Sequence, residues 1–179
     1  NARKPNPLSS LILPTNIMNE AISKRKFDVL IVGAGVIGCA IAYYLSKLSQ
    51  GKLAIGVIEQ KAVAEESSAG AAGMLAAQIE CDAQVPFLEL ALTSRGMFPG
   101  LAQELKDLCG VDIELENSGI ASLAFDEIEE KKLRGRLEWQ NQCGLKSQWM
   151  DAKQVAQEFP FFKARSLGGL WAGEDGQVS

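Results

Sequence analysis

The pattern of hydrophobic and polar positions changes abruptly near residue 27. Residues 1–23 mix Pro, Asn and Ser without a sustained period, so we expect a leader or remnant with little order, and Met18 is a candidate natural start. The next segment, residues 28–32, is mostly apolar and β-branched, which predicts a strand buried on both faces of a parallel sheet. A second apolar run at residues 53–58 predicts another strand.

Between these two runs, apolar residues recur at helical spacing. The spacing extends from Cys39 to Leu48, and Gly51 is placed as a C-terminal cap. Strand, helix and strand in this order predict one right-handed βαβ crossover.

The remainder of the chain alternates helix and strand patterns. Pro86 predicts the start of a helix that Pro99 kinks or restarts before Gly110. Asp126 and Asp151 are placed to cap two further helices. Strands are predicted at residues 119–125 and within residues 167–179. The fold class is therefore α/β: a Rossmann-like domain at residues 24–110, followed at 111–179 by the start of a second, mixed-sheet α+β domain that returns toward the first.

Composition narrows the function. The chain has 179 residues, 47% hydrophobic and 22% charged, as in ordinary globular proteins. A net charge of −4 gives no reason to expect a nucleic acid or an acidic membrane as partner. We see no apolar run long enough to span a bilayer and no signal-peptide core, so we expect a cytoplasmic protein. Because His is absent and the four cysteines are scattered, no metal site is predicted and the chemistry must come from a cofactor or from elsewhere.

The first predicted strand leads directly into a glycine loop. Gly33 permits a tight exit from the strand, Gly35 lets a diphosphate approach the main chain, and Gly38 lets the helix pack closely. Glu59 follows the second strand, 21 residues after Gly38, where a carboxylate accepts hydrogen bonds from ribose hydroxyls. This context predicts a dinucleotide site and leaves FAD and NAD both open.

Small residues dominate positions 67–74. Main chain can approach a flat ring closely only where side chains are short, although a flexible surface loop has the same composition. The tryptophans Trp139, Trp149 and Trp171 are interpreted as packing of the sheet rather than as a substrate-side cluster.

Taken together, these segments resemble the D-amino-acid oxidase family of FAD-dependent oxidoreductases, and within it the branch that oxidises glycine in the thiamin pathway. The resemblance extends over essentially everything after Lys26. The segments that carry it are residues 28–38, 57–60, 67–74, 110–113, 119–125 and 175–178.

This resemblance implies FAD as the cofactor and assigns roles around it. Backbone and side chains of the glycine turn would touch FAD, Glu59 would hold the ribose, and the small-residue loop would run along the flavin. The residues implied are Gly33, Gly35, Val36, Ile37 and Gly38 at the turn, Glu59 and Gln60 at the adenosine, Ser67 and Ser68 at phosphate or ribityl oxygens, Ala72, Gly73 and Met74 at the flavin, and Val178 at the adenine.

The resemblance also implies a reaction, the oxidative deamination of glycine or a small amine or D-amino acid. Hydride transfer from Cα to the flavin would give an imine, and dioxygen would yield hydrogen peroxide. The family places its substrate-carboxylate clamp in a carboxyl-terminal half absent from this chain, so we name no catalytic residue. The alternatives are a dehydrogenase that passes electrons to a quinone and a non-catalytic FAD-binding fragment. A homo-oligomer is expected by analogy.

Overall fold

The computed structural model describes residues 26–65, 67–162 and 164–179, together with the strand Ile12–Leu13. The chain forms two compact units, one ending at Ala71 and the other running from Ala72 to Ser179. Apart from that strand, the expected leader at residues 1–23 lies outside the described residues. The functional division into 24–110 and 111–179 stays a prediction.

The first unit is a parallel βαβ arrangement with one added strand. Its elements are β1 (Ile12–Leu13), β2 (Val29–Val32), α1 (Val36–Leu48) and β3 (Ile55–Ile58). The sheet has the order β1-β3-β2, and all pairs are parallel. The predicted strand–helix–strand unit is therefore confirmed, whereas β1 was not predicted.

The core of this unit lies between α1 and the sheet. Its buried residues are small or β-branched, and Ile31, Cys39 and Leu45 pack against them. The buried set is Ala34, Ala42, Ile55 and Val57.

The prediction that β2 is buried on both faces is wrong. Its residues alternate, with Leu30 49% and Val32 83% exposed. Successive side chains of a strand point to opposite faces, and α1 is the one helix that the structure describes in this unit. Ile31 accordingly faces the core with α1, and Leu30 and Val32 face away from it.

The second unit contains a three-stranded sheet and a separate two-stranded ribbon. The elements of this unit are β4 (Met74–Leu75), α2 (Pro86–Cys109), β5 (Ile120–Ala124), α3 (Glu127–Gln142), β6 (Ser147–Asp151), α4 (Ala152–Glu158), β7 (Gly168–Ala172) and β8 (Gly176–Gln177). The sheet has the order β5-β7-β6 and is antiparallel, as is the ribbon formed by β4 and β8.

Local signals define the helix ends of this unit. Pro86 opens α2 and a left-handed Gly110 closes it. The Asp126 carboxylate accepts a hydrogen bond from the Glu129 N–H at 2.8 Å, and Asp151 forms a capping box with Gln154. These predicted caps are confirmed. Of the kink or restart predicted at Pro99, the restart is wrong, because one missing N–H removes a single hydrogen bond from a 24-residue helix, and the kink stays a prediction.

Helix α3 covers the three-stranded sheet and completes the second core. Ala124, Leu133 and Leu170 are buried there, and Trp149 packs against them. The expectation that this tryptophan serves packing is therefore confirmed.

Candidate functional site

A cavity of about 630 Å³ lies beside the carboxyl ends of β2 and β3 in the first unit. Parallel sheets bind ligands at this edge. Six of the predicted cofactor residues line it. They are Gly33, Gly35, Glu59, Gln60, Ser67 and Ser68, joined by Val32, Ile58, Ala62, Ala64 and Glu65.

The three glycines of the turn have different structural roles. Gly33 has φ +99°, a conformation that side chains disfavour, and its N–H donates to the Ile58 carbonyl oxygen at 2.7 Å. A Cβ on Gly38 would overlap the Gly33 carbonyl oxygen, so glycine is needed for α1 to lie against the turn. A Cβ on Gly35 would stand 3.1 Å from the Ser68 hydroxyl oxygen. The cavity wall is therefore main chain at the place where a diphosphate would approach.

Helix α1 presents its amino terminus to this turn. Gly35 is the N-cap residue and supplies no side-chain hydrogen bond, and the first turn has no acidic side chain. The Ser68 hydroxyl accepts from the Val36 N–H at 2.9 Å and so ties the loop to the helix end. Val36 and Ile37 both expose most of their side chains. A helix terminus of this kind favours anions through its N–H groups and its dipole.

Glu59 is fixed by the main chain on both carboxylate oxygens. Its Oε2 accepts from the Ala34 N–H at 2.8 Å, and its Oε1 accepts from the Lys61 N–H at 3.0 Å. These hydrogen bonds, that of Ala34 first, lower the pKa of Glu59 below its usual value, so the group is charged near neutral pH. Each oxygen keeps a lone pair for a ribose hydroxyl.

The thiol nearest this turn is not a nucleophile. Cys39 Sγ donates to the Ala34 carbonyl oxygen at 3.4 Å. Burial, and then the negative charge of Glu59, raise the pKa of the Cys39 thiol. The protonated form therefore prevails at neutral pH, and this cysteine has a packing role.

Predicted cofactor residues of the second unit meet in the β4–β8 ribbon. The Val178 N–H donates to the Gly73 carbonyl oxygen at 2.9 Å, which extends the pairing of Met74 with Gln177. Gly73 has φ +70°, and a Cβ there would overlap the Val178 carbonyl oxygen. The Met74 side chain is 57% exposed, and Ala72 begins the unit.

A second cavity, of about 790 Å³, opens within this unit beside the ribbon. Amide and apolar side chains line it together with the Glu158 carboxylate, and Trp171 contributes to the wall in addition to packing on Gly119. No Lys or Arg occurs among the lining residues, so this cavity offers no cation to a substrate carboxylate. The lining residues include Met74, Gln148, Met150, Gln154, Gln157, Phe159, Trp171 and Gln177.

Sequence reasoning missed a buried polar network in the second unit. Gln78, Gln140 and Asp175 are fully buried, and Arg95 and Ser147 connect them by hydrogen bonds. The sequence marked Asp175 through the family resemblance alone. These residues are separated by up to 97 positions, so no local pattern reveals the network.

None of the helices in the described ranges combines the length and apolar character needed to cross a bilayer. The same residues contain no group of three or more His, Cys, Asp or Glu side chains placed to hold a metal ion.

Comparison with known proteins identifies the family. Residues 28–179 match the family model described as FAD dependent oxidoreductase. The chain belongs to this family. Its members are enzymes that use FAD, and the glycine turn, helix terminus and Glu59 carboxylate of the first cavity fit the ADP half of that cofactor.

The relatives include glycine oxidases. The glycine oxidase of Geobacillus kaustophilus is 36% identical over 156 residues, which cover 87% of this chain and 41% of that protein. Its crystal structure matches with a TM-score of 0.80 at 35% identity, covering 86% of this chain and 40% of that one. The bifunctional protein ThiO/ThiG of Synechocystis is 34% identical over 151 residues, covering 84% and 21% of the two chains. This chain thus spans about two fifths of the glycine oxidases that it matches.

Proposed function

We propose that this chain supplies the FAD-binding part of an amine oxidase. The reaction is oxidative deamination of glycine or a small amine or D-amino acid with dioxygen as acceptor, giving an imine and hydrogen peroxide. The observation that carries the cofactor assignment is the first cavity, where the turn at Gly33 and Gly35, the α1 terminus and the fixed Glu59 carboxylate converge. The substrate class rests on 36% identity to a glycine oxidase.

Each part of the cavity then has a role toward FAD. The turn at Gly35 and the amino terminus of α1 hold the diphosphate, because N–H groups at a helix amino terminus bind anions. The Val36 N–H is taken by the Ser68 hydroxyl, so Val36 touches the cofactor with its exposed side chain, as Ile37 does. Glu59 accepts hydrogen bonds from the adenosine ribose, and Gln60 lies beside the adenosine. Ser67 and Ser68 meet phosphate or ribityl oxygens. Hydrogen bonds from Ala34 and Lys61 keep Glu59 charged, which also disfavours a 2′-phosphorylated ribose.

Residues of the ribbon are assigned to the rest of the cofactor. The main chain at Ala72, Gly73 and Met74 runs along the flavin. Val178 lies at the same end of the cofactor, because its N–H donates to the Gly73 carbonyl oxygen at 2.9 Å, and the adenine contact that the resemblance implied does not fit this pairing. When bound, the flavin supplies the hydride acceptor for the chemistry. Gly73 keeps this wall free of a side chain. The substrate carboxylate clamp, the oligomeric state and a cytoplasmic location are further expectations for the whole protein.

The test uses the full-length protein loaded with FAD. Glycine, small amines and D-amino acids are added first without oxygen, and bleaching of the flavin bands is recorded. Oxygen is then admitted, and hydrogen peroxide is measured in parallel with reduction of a quinone acceptor. The proposal expects bleaching by at least one small amine and about one peroxide per amine oxidised.

Other outcomes separate the alternatives. Bleaching without peroxide, but with quinone reduction, would identify a dehydrogenase. A yellow protein that no amine bleaches would contradict the enzymic proposal and leave a binding protein.

A further inference from the structure

The β4–β8 ribbon contains two paired residues on each strand. Strand β8 is also held on its other side, where the Glu116 N–H and carbonyl oxygen each hydrogen-bond with Gln177 at 2.9 Å and the Ser179 N–H donates to the Ile113 carbonyl oxygen. Among the described strands β4 pairs with β8 alone, and so short a pairing is marginal in water. One end is closed by the Val178 N–H, which donates to the Gly73 carbonyl oxygen at 2.9 Å. The other end lies where Asp175 precedes β8 and Gln78 follows β4. What fixes that end also fixes the register of the ribbon.

The carboxylate of Asp175 closes this second end. Asp175 is fully buried, and its Oδ2 accepts from the main-chain N–H groups of Gln78 and Ile79, each at 3.0 Å. These donors belong to the segment that leaves β4. One side chain just before β8 thus holds the continuation of the opposite strand.

Arg95 of α2 holds this carboxylate in turn. Its Nη1 lies 2.6 Å from Asp175 Oδ1 and 2.8 Å from Gln78 Oε1, and its Nη2 lies 3.1 Å from Glu174 Oε2. The Arg95 side chain is 13% exposed. A planar guanidinium can bridge three acceptors in this way, whereas a lysine ammonium on a flexible stem provides only a point charge.

The network continues inward from Gln78 to the sheet. Gln78 Nε2 donates to the Ser147 hydroxyl at 3.1 Å, and Gln140 Nε2 donates to the Gln78 carbonyl oxygen at 2.9 Å. The bond from Gln140 is to the main chain of Gln78, whereas the Gln78 side chain is hydrogen-bonded at both polar ends, its Nε2 to Ser147 and its Oε1 to Arg95. The ribbon is tied to α2, α3 and β6 through a buried network rather than through its own hydrogen bonds alone.

We propose that Arg95 and Asp175 are positioning residues for FAD: they set the register of the β4–β8 ribbon and thereby the placement of Gly73, Met74 and Val178 against the cofactor. This inference rests on the proposed function, which assigns those three residues to FAD. Neither Arg95 nor Asp175 is assigned a contact with the cofactor. They affect its binding by fixing the position of the main chain of the ribbon.

The test compares Arg95→Lys with Arg165→Lys in the full-length protein. Arg165 is exposed and so is a matched control for the same substitution. Three quantities are measured: hydrogen exchange of the peptide containing Val178 without FAD, the FAD dissociation constant, and the visible circular dichroism of bound FAD. Circular dichroism in the far ultraviolet verifies that each variant is folded.

We expect Arg95→Lys to expose the Val178 amide and to weaken FAD binding. Exchange should accelerate and the FAD dissociation constant should rise, each on the order of tenfold, the scale of one lost charge-assisted hydrogen bond. The visible circular dichroism should change, because the flavin environment changes. Arg165→Lys should match the wild type in all three quantities.

A milder variant is available should Arg95→Lys not fold. Glu174→Gln weakens one acceptor of Arg95 and leaves the buried carboxylate intact, so it should shift the same quantities in the same direction by less.

The proposal would be overturned if hydrogen exchange at Val178 were unchanged in Arg95→Lys. It would also be overturned if exchange were faster while the FAD affinity and the visible circular dichroism stayed the same. Failure of the proposed function gives a different result, which is seen in the wild type. A wild-type protein that binds no FAD would refute both the proposed function and the positioning role of Arg95 and Asp175.

Discussion

The two units hold their predicted cofactor residues by different means. In the first, main-chain N–H groups and a glycine turn form the cavity, and its key hydrogen bonds join residues 25 to 32 positions apart. In the second, buried side chains hold a short ribbon, and Asp175 bonds to a segment 97 positions away. The site in the first unit is built from main chain, so it requires that no side chain fill the turn. The ribbon in the second unit is held by buried side chains, so each polar group must keep its hydrogen-bond partner.

The largest effect should come from breaking the buried network of the second unit. Asp175→Ala removes the acceptor of two main-chain N–H groups and a partner of Arg95, so we expect a loss of about 3–5 kcal/mol in unfolding free energy. Asp112→Ala breaks the exposed pair with Lys106 and a hydrogen bond from the Glu114 N–H, and it should cost much less, because solvent screens exposed charges. Urea unfolding of both variants measures the difference. Equal effects would show that burial does not distinguish the two pairs.

The corresponding change in the first unit adds an atom where the main chain leaves no room. Gly38→Ala places a Cβ on the Gly33 carbonyl oxygen and should cost about 1–3 kcal/mol, as overpacking does, and weaken FAD binding. Gly135→Ala in α3 meets open space and should gain up to about 1 kcal/mol from helix propensity. Thermal unfolding and FAD titration test this pair. A neutral Gly38→Ala would mean that the turn can move without loss.

A smaller effect on stability, but a selective effect on binding, is expected at Glu59. Glu59→Gln keeps the shape and removes the charge, so FAD affinity should fall on the order of tenfold, as for a lost hydrogen bond to a charged group. Glu138→Gln on the exposed side of α3 removes the same charge and should leave affinity unchanged. Isothermal titration distinguishes the two. An equal fall in both variants would assign the effect to net charge.

The smallest expected effect is a pH dependence that belongs to the first unit. Hydrogen bonds lower the folded-state pKa of Glu59 from 4.5, so folding favours the carboxylate. Its stabilising contribution is complete above pH 4.5 and is lost as pH falls through the lowered pKa. The melting temperature of the wild type should therefore approach that of Glu59→Gln in acid. A constant difference from pH 7 to pH 3 would contradict the assignment, since the other carboxylates are common to both proteins.

These contrasts also explain which features the sequence could predict. The glycine turn, the strand ends and Glu59 follow from residues whose physical role is local, because Gly33 needs a positive φ and Gly38 needs a missing Cβ. Helix caps at Asp126 and Asp151 were predicted for the same reason.

Other features depend on partners distant in sequence. The alternation of exposure in β2 depends on which face of the strand a helix covers. Strand β6 depends on pairing with β7, and β4 and β8 depend on pairing with each other. The roles of Arg95 and Gln78 become visible only when Asp175 is brought between them. Composition and periodicity carry no record of such contacts.

The most direct test of the central claim is a competition for the first cavity. FAD is titrated into the full-length protein stripped of cofactor, alone and with an excess of ADP or of 2′-phosphorylated ADP. If the glycine turn and Glu59 hold the ADP half, FAD should bind at about one equivalent with flavin absorption bands, and ADP should compete better than its 2′-phosphorylated form. Absence of FAD binding, or no effect of ADP, would contradict the assignment of this cavity.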